Sequence, residues 1–126
     1  MSNTTSVLIV EDEKVLRDVY ELIITSLGFT VYTASNGIEG LKQLKKHKPD
    51  IMLLDIFMPV MDGQEVLRNL NKTDFPRVKI VVCSNMSDSK LTQEVLDNGA
   101  DKFVLKSSLG PNELKSLIHD LAFQVP

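Results

Sequence analysis

Five short apolar runs punctuate the chain, and between them apolar residues fall at the i, i+3, i+4 spacing of helices. That alternation predicts a layered α/β architecture rather than a bundle or a sandwich. The runs are SVLIV (6–10), TVYTA (30–34), IMLL over 50–54 with Asp55 at its end, KIVVCS (79–84) and KFVLK (102–106). VLIV and IMLL are unbroken, as strands covered by helices on both faces must be, so both are expected at the centre of a parallel sheet.

Helix one is expected to bury Val15, Leu16, Val19, Leu22, Ile23 and Leu27 and to close on Gly28. Helix two opens at Asn36, with Glu39 placed three residues on as in a capping box. The third helix has the weakest pattern, over 64–70. A fourth spans 87–98 and stops at Gly99. In the fifth, after Pro111, Leu114, Leu117, Ile118 and Leu121 form one stripe. The polar head, 1–5, is expected to be frayed.

Composition narrows the function classes. The 126 residues fit one domain, 1–126, with one core. No apolar run approaches the roughly 18 residues that a membrane span needs. MSNTTSVLIV lacks the basic and apolar regions of an export signal, so a cytoplasmic protein without membrane contact is expected. The net charge of -3 argues against direct nucleic-acid binding, and LKQLKKHK reads as the basic end of a helix. The single cysteine, Cys83, reads as a small buried apolar residue. His47 and His119 read as surface residues.

In a parallel α/β sheet the functional loops lie at the carboxyl ends of the strands. Those ends carry Glu11, Asp12 and Glu13 after strand one, and Asp55 after strand three. Strands four and five end in Ser84 with Asn85 and in Lys106 with Ser107 and Ser108. Clustered carboxylates repel unless a cation sits among them. Magnesium fits such a set, taking Asp12 and Asp55 directly and Glu11 through water. With the pocket neutralised, Asp55 is able to attack phosphorus, while Lys106 and Ser84 hold phosphoryl oxygens.

The run of VLIVEDE, LLDIFMPVMDG, VVCSN and GADKFVLK, in that order and spacing, resembles the receiver domains of two-component response regulators over essentially the whole chain. The resemblance implies a flavodoxin-like, doubly wound sheet of five parallel strands in the order 2-1-3-4-5, with helices on both faces. It implies that Asp55 takes a phosphoryl group from a histidine kinase or a histidine phosphotransfer protein, with Mg2+ or Mn2+ held by Glu11, Asp12, Asp55 and the main-chain carbonyl of Phe57. Ser84 and Lys106 then contact the phosphoryl group, and Phe103 reorients to alter the face made by helix four, strand five and helix five. Such a domain is a regulator rather than an enzyme, though it assists its own phosphorylation and autodephosphorylation. It signals to a downstream protein as a monomer or as a weak phosphorylation-dependent dimer. No output domain for DNA binding or catalysis is expected in these residues.

Three positions depart from the family's commonest pattern. Asn85 stands where a small residue is usual, and Phe57, two after Asp55, is expected to slow hydrolysis by excluding water. Ser107 replaces a proline that often follows a cis peptide; a trans 106–107 bond is expected, with the Ser107 and Ser108 hydroxyls bonded to nearby backbone. A flavin-binding reading fails because EDEK carries the wrong charge for a phosphate loop. A haloacid dehalogenase-type hydrolase would need an acid at position 57. The remaining alternative is a pseudo-receiver, an interaction module that is never phosphorylated.

Overall fold

The computed structural model describes residues 5–86 and 88–123. Its five strands are β1 (Ser6–Val10), β2 (Thr30–Ala34), β3 (Ile51–Asp55), β4 (Lys79–Ser84) and β5 (Lys102–Leu105). They form one parallel sheet in the order β2-β1-β3-β4-β5. The helices are α1 (Lys14–Ser26), α2 (Gly37–His47), α3 (Gly63–Asn69), α4 (Ser89–Asp97) and α5 (Pro111–Ala122). None of the described helices is long and apolar enough to cross a membrane.

Period-two alternation in the central strands feeds two cores. Val7, Ile9, Ile51, Leu53, Val81 and Cys83 face α1 and α5, where Tyr20, Ile24, Leu114, Leu117, Ile118 and Leu121 meet them. Leu8, Val10, Met52, Leu54, Ile80 and Val82 point the other way, toward Leu44, Val66, Leu67 and Val95 of α2, α3 and α4. Both faces of β1, β3 and β4 are thus dry, which is why their sequences run apolar without a break.

Several boundaries move from their expected places for identifiable reasons. β3 starts one residue after the expected 50–54, because Asp50 turns its carboxylate to accept from the Ser6 amide (2.9 Å). Asp55 is therefore the last strand residue, paired in register with Cys83. β5 ends at Leu105 because Lys106–Ser108 wind into a 3-10 turn, closed by Leu109 N donating to Lys106 O (3.0 Å). That turn, and no bond from the Ser107 or Ser108 hydroxyl among the described residues, shapes the segment, while the 106–107 peptide is trans as expected. Of the expected frayed head, 1–4 lie outside the described residues, but Thr5 joins the sheet by accepting from Thr30 N (3.2 Å). The expected start of helix four, Ser87, also lies outside them; α4 is capped by Asp88, whose side chain accepts from Leu91 N (2.7 Å).

Helix one corrects the expected stripe. Tyr20 and Ile24 are buried with Leu16 and Ile23 packed beside them, while Val15 and Leu22 are 78% and 71% exposed and Val19 is also exposed. With apolar residues on nearly every side of VLRDVYELIITSL, periodicity supports two stripes, and packing against β1 and α5 selects the one centred on Tyr20 and Ile24. In α2 the Asn36 side chain accepts from Glu39 N (2.9 Å) as expected, and Lys45, Lys46 and His47 occupy the last turn. His47 is not a free surface group: its ring stacks on Tyr32 at a centroid distance of 3.7 Å. The complete capping box belongs to α3, with the weakest sequence pattern, where Asp62 and Glu65 each accept from the other's amide (2.9 and 3.1 Å).

The loop from Asp55 to α3 turns tightly. Met61 N donates to Pro59 O (2.8 Å) across Val60, whose φ is 71°. That is a γ turn of the rare positive-φ kind, strained for a β-branched residue. The loop then folds back so that Gly63 N donates to Ile56 O (2.9 Å). A Cβ at Gly63 would lie 2.5 Å from the Asp55 carbonyl oxygen and 2.8 Å from the Ile56 Cα, so only glycine fits there. Gly63→Ala is expected to lower stability by about 1–3 kcal/mol, the usual cost of overpacking. Val60→Gly is expected to raise it by up to about 1 kcal/mol by releasing strain. Chemical denaturation of the two variants beside wild type checks both signs; a destabilised Val60→Gly would show that the turn is unstrained.

Candidate functional site

Strand parity decides which side chains meet. Glu11 continues the Val7, Ile9 series and Asp55 the Ile51, Leu53 series, so both carboxylates emerge on the α1 and α5 side of neighbouring strands. Lys106, just past β5, reaches back into the same space. Its Nζ lies 2.6 Å from Glu11 Oε1 and 3.2 Å from Asp55 Oδ1. All three groups are almost dry, the side chains of Lys106, Glu11 and Asp55 being 8%, 2% and 5% exposed. Carboxylate oxygens of Glu11, Asp12 and Asp55 lie within 4.8 Å of one another, a spacing able to hold one metal ion. These hard oxygen donors at one strand-end rim suit magnesium or manganese.

Two carboxylates share one ammonium here, which leaves a negative charge uncompensated. Burial and then the Glu11 carboxylate push the Asp55 carboxyl up from the ordinary 3.8 to about 7, with Lys106 pulling the other way. For Lys106, burial alone would lower the pKa, but the hydrogen bond to Glu11 and the charges of both carboxylates outweigh it and raise it. Burial also pushes the Cys83 thiol, beside Asp55, up to about 12, keeping it an inert core residue as expected.

Of the other sequence-predicted residues, Ser84 is fully buried at the end of β4, on the opposite sheet face from Asp55, and its Oγ accepts from Met86 N (3.2 Å). Phe103 pairs with Val82, shares that face, and packs half-buried on the core of that side. The Phe57 ring is 53% exposed at the rim, and Asn85 is exposed. Glu11 Oε2 also accepts from Glu13 N (3.0 Å), which fastens the acidic loop to its own backbone. Sequence reasoning missed Arg17, whose Nη1 lies 2.7 Å from Glu11 O. A cation near a helix N-terminus opposes the helix dipole, and that was the available signal.

The family model of the response regulator receiver domain matches residues 7–119, a span that takes in all four of these ionic groups. The chain belongs to that family, the receiver domains of two-component systems. It is 40% identical over 101 residues to the chemotaxis protein CheY of Thermotoga maritima, covering 79% of this chain and 83% of that protein. It is 36% identical over 105 residues to the transcriptional regulatory protein AfsQ1 of Streptomyces coelicolor, covering 83% of this chain but 46% of that one. The chain thus spans most of a chemotaxis relative and about half of a transcriptional one. Among solved structures, the signal receiver domain of the response regulator NarL from Mycobacterium tuberculosis superposes with a TM-score of 0.85 at 26% identity, covering 97% of this chain and 98% of that one. A chemotaxis protein CheY4 from Vibrio cholerae, at 24% identity and a TM-score of 0.86, shares the fold over 94% of this chain and 98% of that one.

The raised Asp55 pKa makes stability depend on pH in a definite direction. The folded state holds this proton more tightly than the unfolded chain does, so in metal-free buffer the contribution of Asp55 to stability falls as pH rises from about 4 to about 7. At roughly 1.4 kcal/mol per pKa unit the loss is on the order of 2 to 4 kcal/mol. Asp55→Asn should therefore be more stable than wild type at pH 8 and nearly equal to it at pH 4. Urea titrations at both values test this, and a variant less stable than wild type at pH 8 would contradict it.

Proposed function

We propose that this chain acts as a single receiver domain in which Asp55 accepts a phosphoryl group from the phosphohistidine of a histidine kinase or phosphotransfer protein. The observation that carries this reading is the Lys106 ammonium held between Glu11 and Asp55 at the dry strand ends. Glu11, Asp12, Asp55 and the main-chain carbonyl of Phe57 would hold magnesium or manganese. Such an ion, when bound, would offset the excess carboxylate charge and supply Lewis-acid stabilisation for phosphoryl transfer. An Asp55 oxygen attacks phosphorus as the P–N bond breaks, and the imidazole leaves with the bonding electrons. Lys106 Nζ, already 3.2 Å from Asp55 Oδ1, turns from carboxylate to phosphoryl oxygen. The Ser84 hydroxyl, which accepts from Met86 N, keeps its own proton to donate to a second phosphoryl oxygen.

Ser84 and Phe103 share one face of the sheet, so movement of Ser84 toward the phosphoryl group opens space beside Phe103. The face made by α4, β5 and α5 then favours a second arrangement that a downstream protein, or a second copy in a weak dimer, binds better. The net charge of -3 favours such a protein partner over direct contact with nucleic acid. The chain assists this transfer and the later hydrolysis of its own acyl phosphate, in which water takes the phosphoryl group and the Asp55 carboxylate is restored, without acting on a separate substrate.

Incubation with magnesium and a small phosphoryl donor such as acetyl phosphate should add the mass of one phosphoryl group to wild type and none to Asp55→Asn. A label that persists on Asp55→Asn would overturn the assignment. Phe57→Ala should shorten the lifetime of the phosphorylated form several-fold by admitting water, and an unchanged lifetime would remove the shielding role of Phe57. Phe103→Ala should leave phosphorylation nearly intact while weakening its coupling to partner or dimer; equal coupling in both proteins would remove the switch role.

A further inference from the structure

We propose that Arg17 is a positioning residue for the acidic pocket, acting on the backbone that carries Glu11 and Asp12 rather than on any ligand. Its Nη1 lies 2.7 Å from the main-chain oxygen of Glu11 and 3.4 Å from that of Asp12. Those are the carbonyls of the two peptide groups on either side of the Asp12 Cα. One guanidinium nitrogen holding both fixes the rotation of each peptide plane, and with it the direction in which the Asp12 side chain leaves the backbone. The bond to Glu11 O is short and charge-assisted, and the longer contact to Asp12 O adds to it.

The chain needs such a brace at this point. Glu11 N is the last group of the segment to join the sheet, donating to Ala34 O (3.0 Å). The next ladder is that of α1, where Arg17 N donates to Glu13 O (2.9 Å). Between them Asp12 carries no side-chain cap for the helix, and Glu13, the N-cap residue, makes no capping bond. Arg17 thus ties the exit of β1 to the second turn of α1, across the residue whose orientation the pocket requires.

The inference rests on reading Glu11, Asp12 and Asp55 as a magnesium site, and it gives a signed test. As a charge alone, Arg17 would repel an incoming cation, so its removal would tighten magnesium binding. As a positioning residue it aids the ligands, so its removal weakens binding. Magnesium affinity is measured by NMR titration of the isotope-labelled chain, following the Glu13 amide, which donates to Glu11 Oε2 (3.0 Å). Arg17→Met, which keeps the side-chain stem, should raise the magnesium Kd about tenfold, the lower end of the cost of losing a group that orients a metal ligand. Arg17→Lys, which retains the charge and N–H donors on one nitrogen, should recover most of the affinity. Where Arg17→Met does not fold, Arg17→Gln takes its place.

An unchanged or lowered Kd, with or without a fall in melting temperature, would overturn the positioning role. Absence of magnesium binding by wild type would overturn the reading of the site, and the role of Arg17 with it.

Discussion

Two buried carboxylates, Glu11 and Asp55, share a single buried ammonium, that of Lys106. An arrangement so short of positive charge is unfavourable in isolation, because each ion loses water and only one counter-ion is present. The fold sustains it by supplying the rest of its energy elsewhere. Two continuous apolar layers lie on either side of β1, β3 and β4, and the unfavourable charges are confined to one rim of the sheet. Strain in the adjoining loop, at Val60, follows the same division between a stable frame and a costly edge.

That division gives the site its chemistry. Three carboxylates gathered with one ammonium have the spacing and chemistry to hold one divalent cation, and a carboxyl group raised to about 7 responds to a charge brought beside it. Lys106 is held by contacts to Glu11 and Asp55, so one ammonium links the ends of β1, β3 and β5. Ser84 lies on the opposite face of the sheet, which it shares with Phe103. The loop after Asp55 is fixed by Gly63, where any side chain would strike the backbone of Asp55 and Ile56, so the carboxylate stays where the neighbouring strand ends require it.

Much of this was legible in the sequence, and the exceptions have physical causes. Unbroken VLIV and IMLL identified the central strands because burial on both faces leaves no polar positions to interrupt them. Asp55, Glu11, Asp12, Ser84 and Lys106 stood out because charged and polar residues terminate apolar strands, and the structure gathers the four ionic groups around one pocket. The buried face of α1 was not legible, since apolar residues surround that helix and only its seat on β1 and α5 selects Tyr20 and Ile24. Arg17 escaped because its contacts are to main-chain carbonyls, and the one cue in the sequence, a cation near a helix N-terminus, does not point to them. The Lys106–Ser108 turn escaped for the same reason: it is closed by backbone, where side-chain hydroxyl bonds had been expected.

The dependence of the pocket on one shared ammonium is tested most directly by titrating the Asp55 carboxyl itself, through its side-chain carbon resonance, in metal-free wild type and in Lys106→Met. The wild-type midpoint should fall near about 7, and loss of the ammonium should move it higher, because burial and Glu11 then act unopposed. A wild-type Asp55 that titrates with ordinary surface carboxylates, or a midpoint that Lys106→Met leaves in place, would contradict the account.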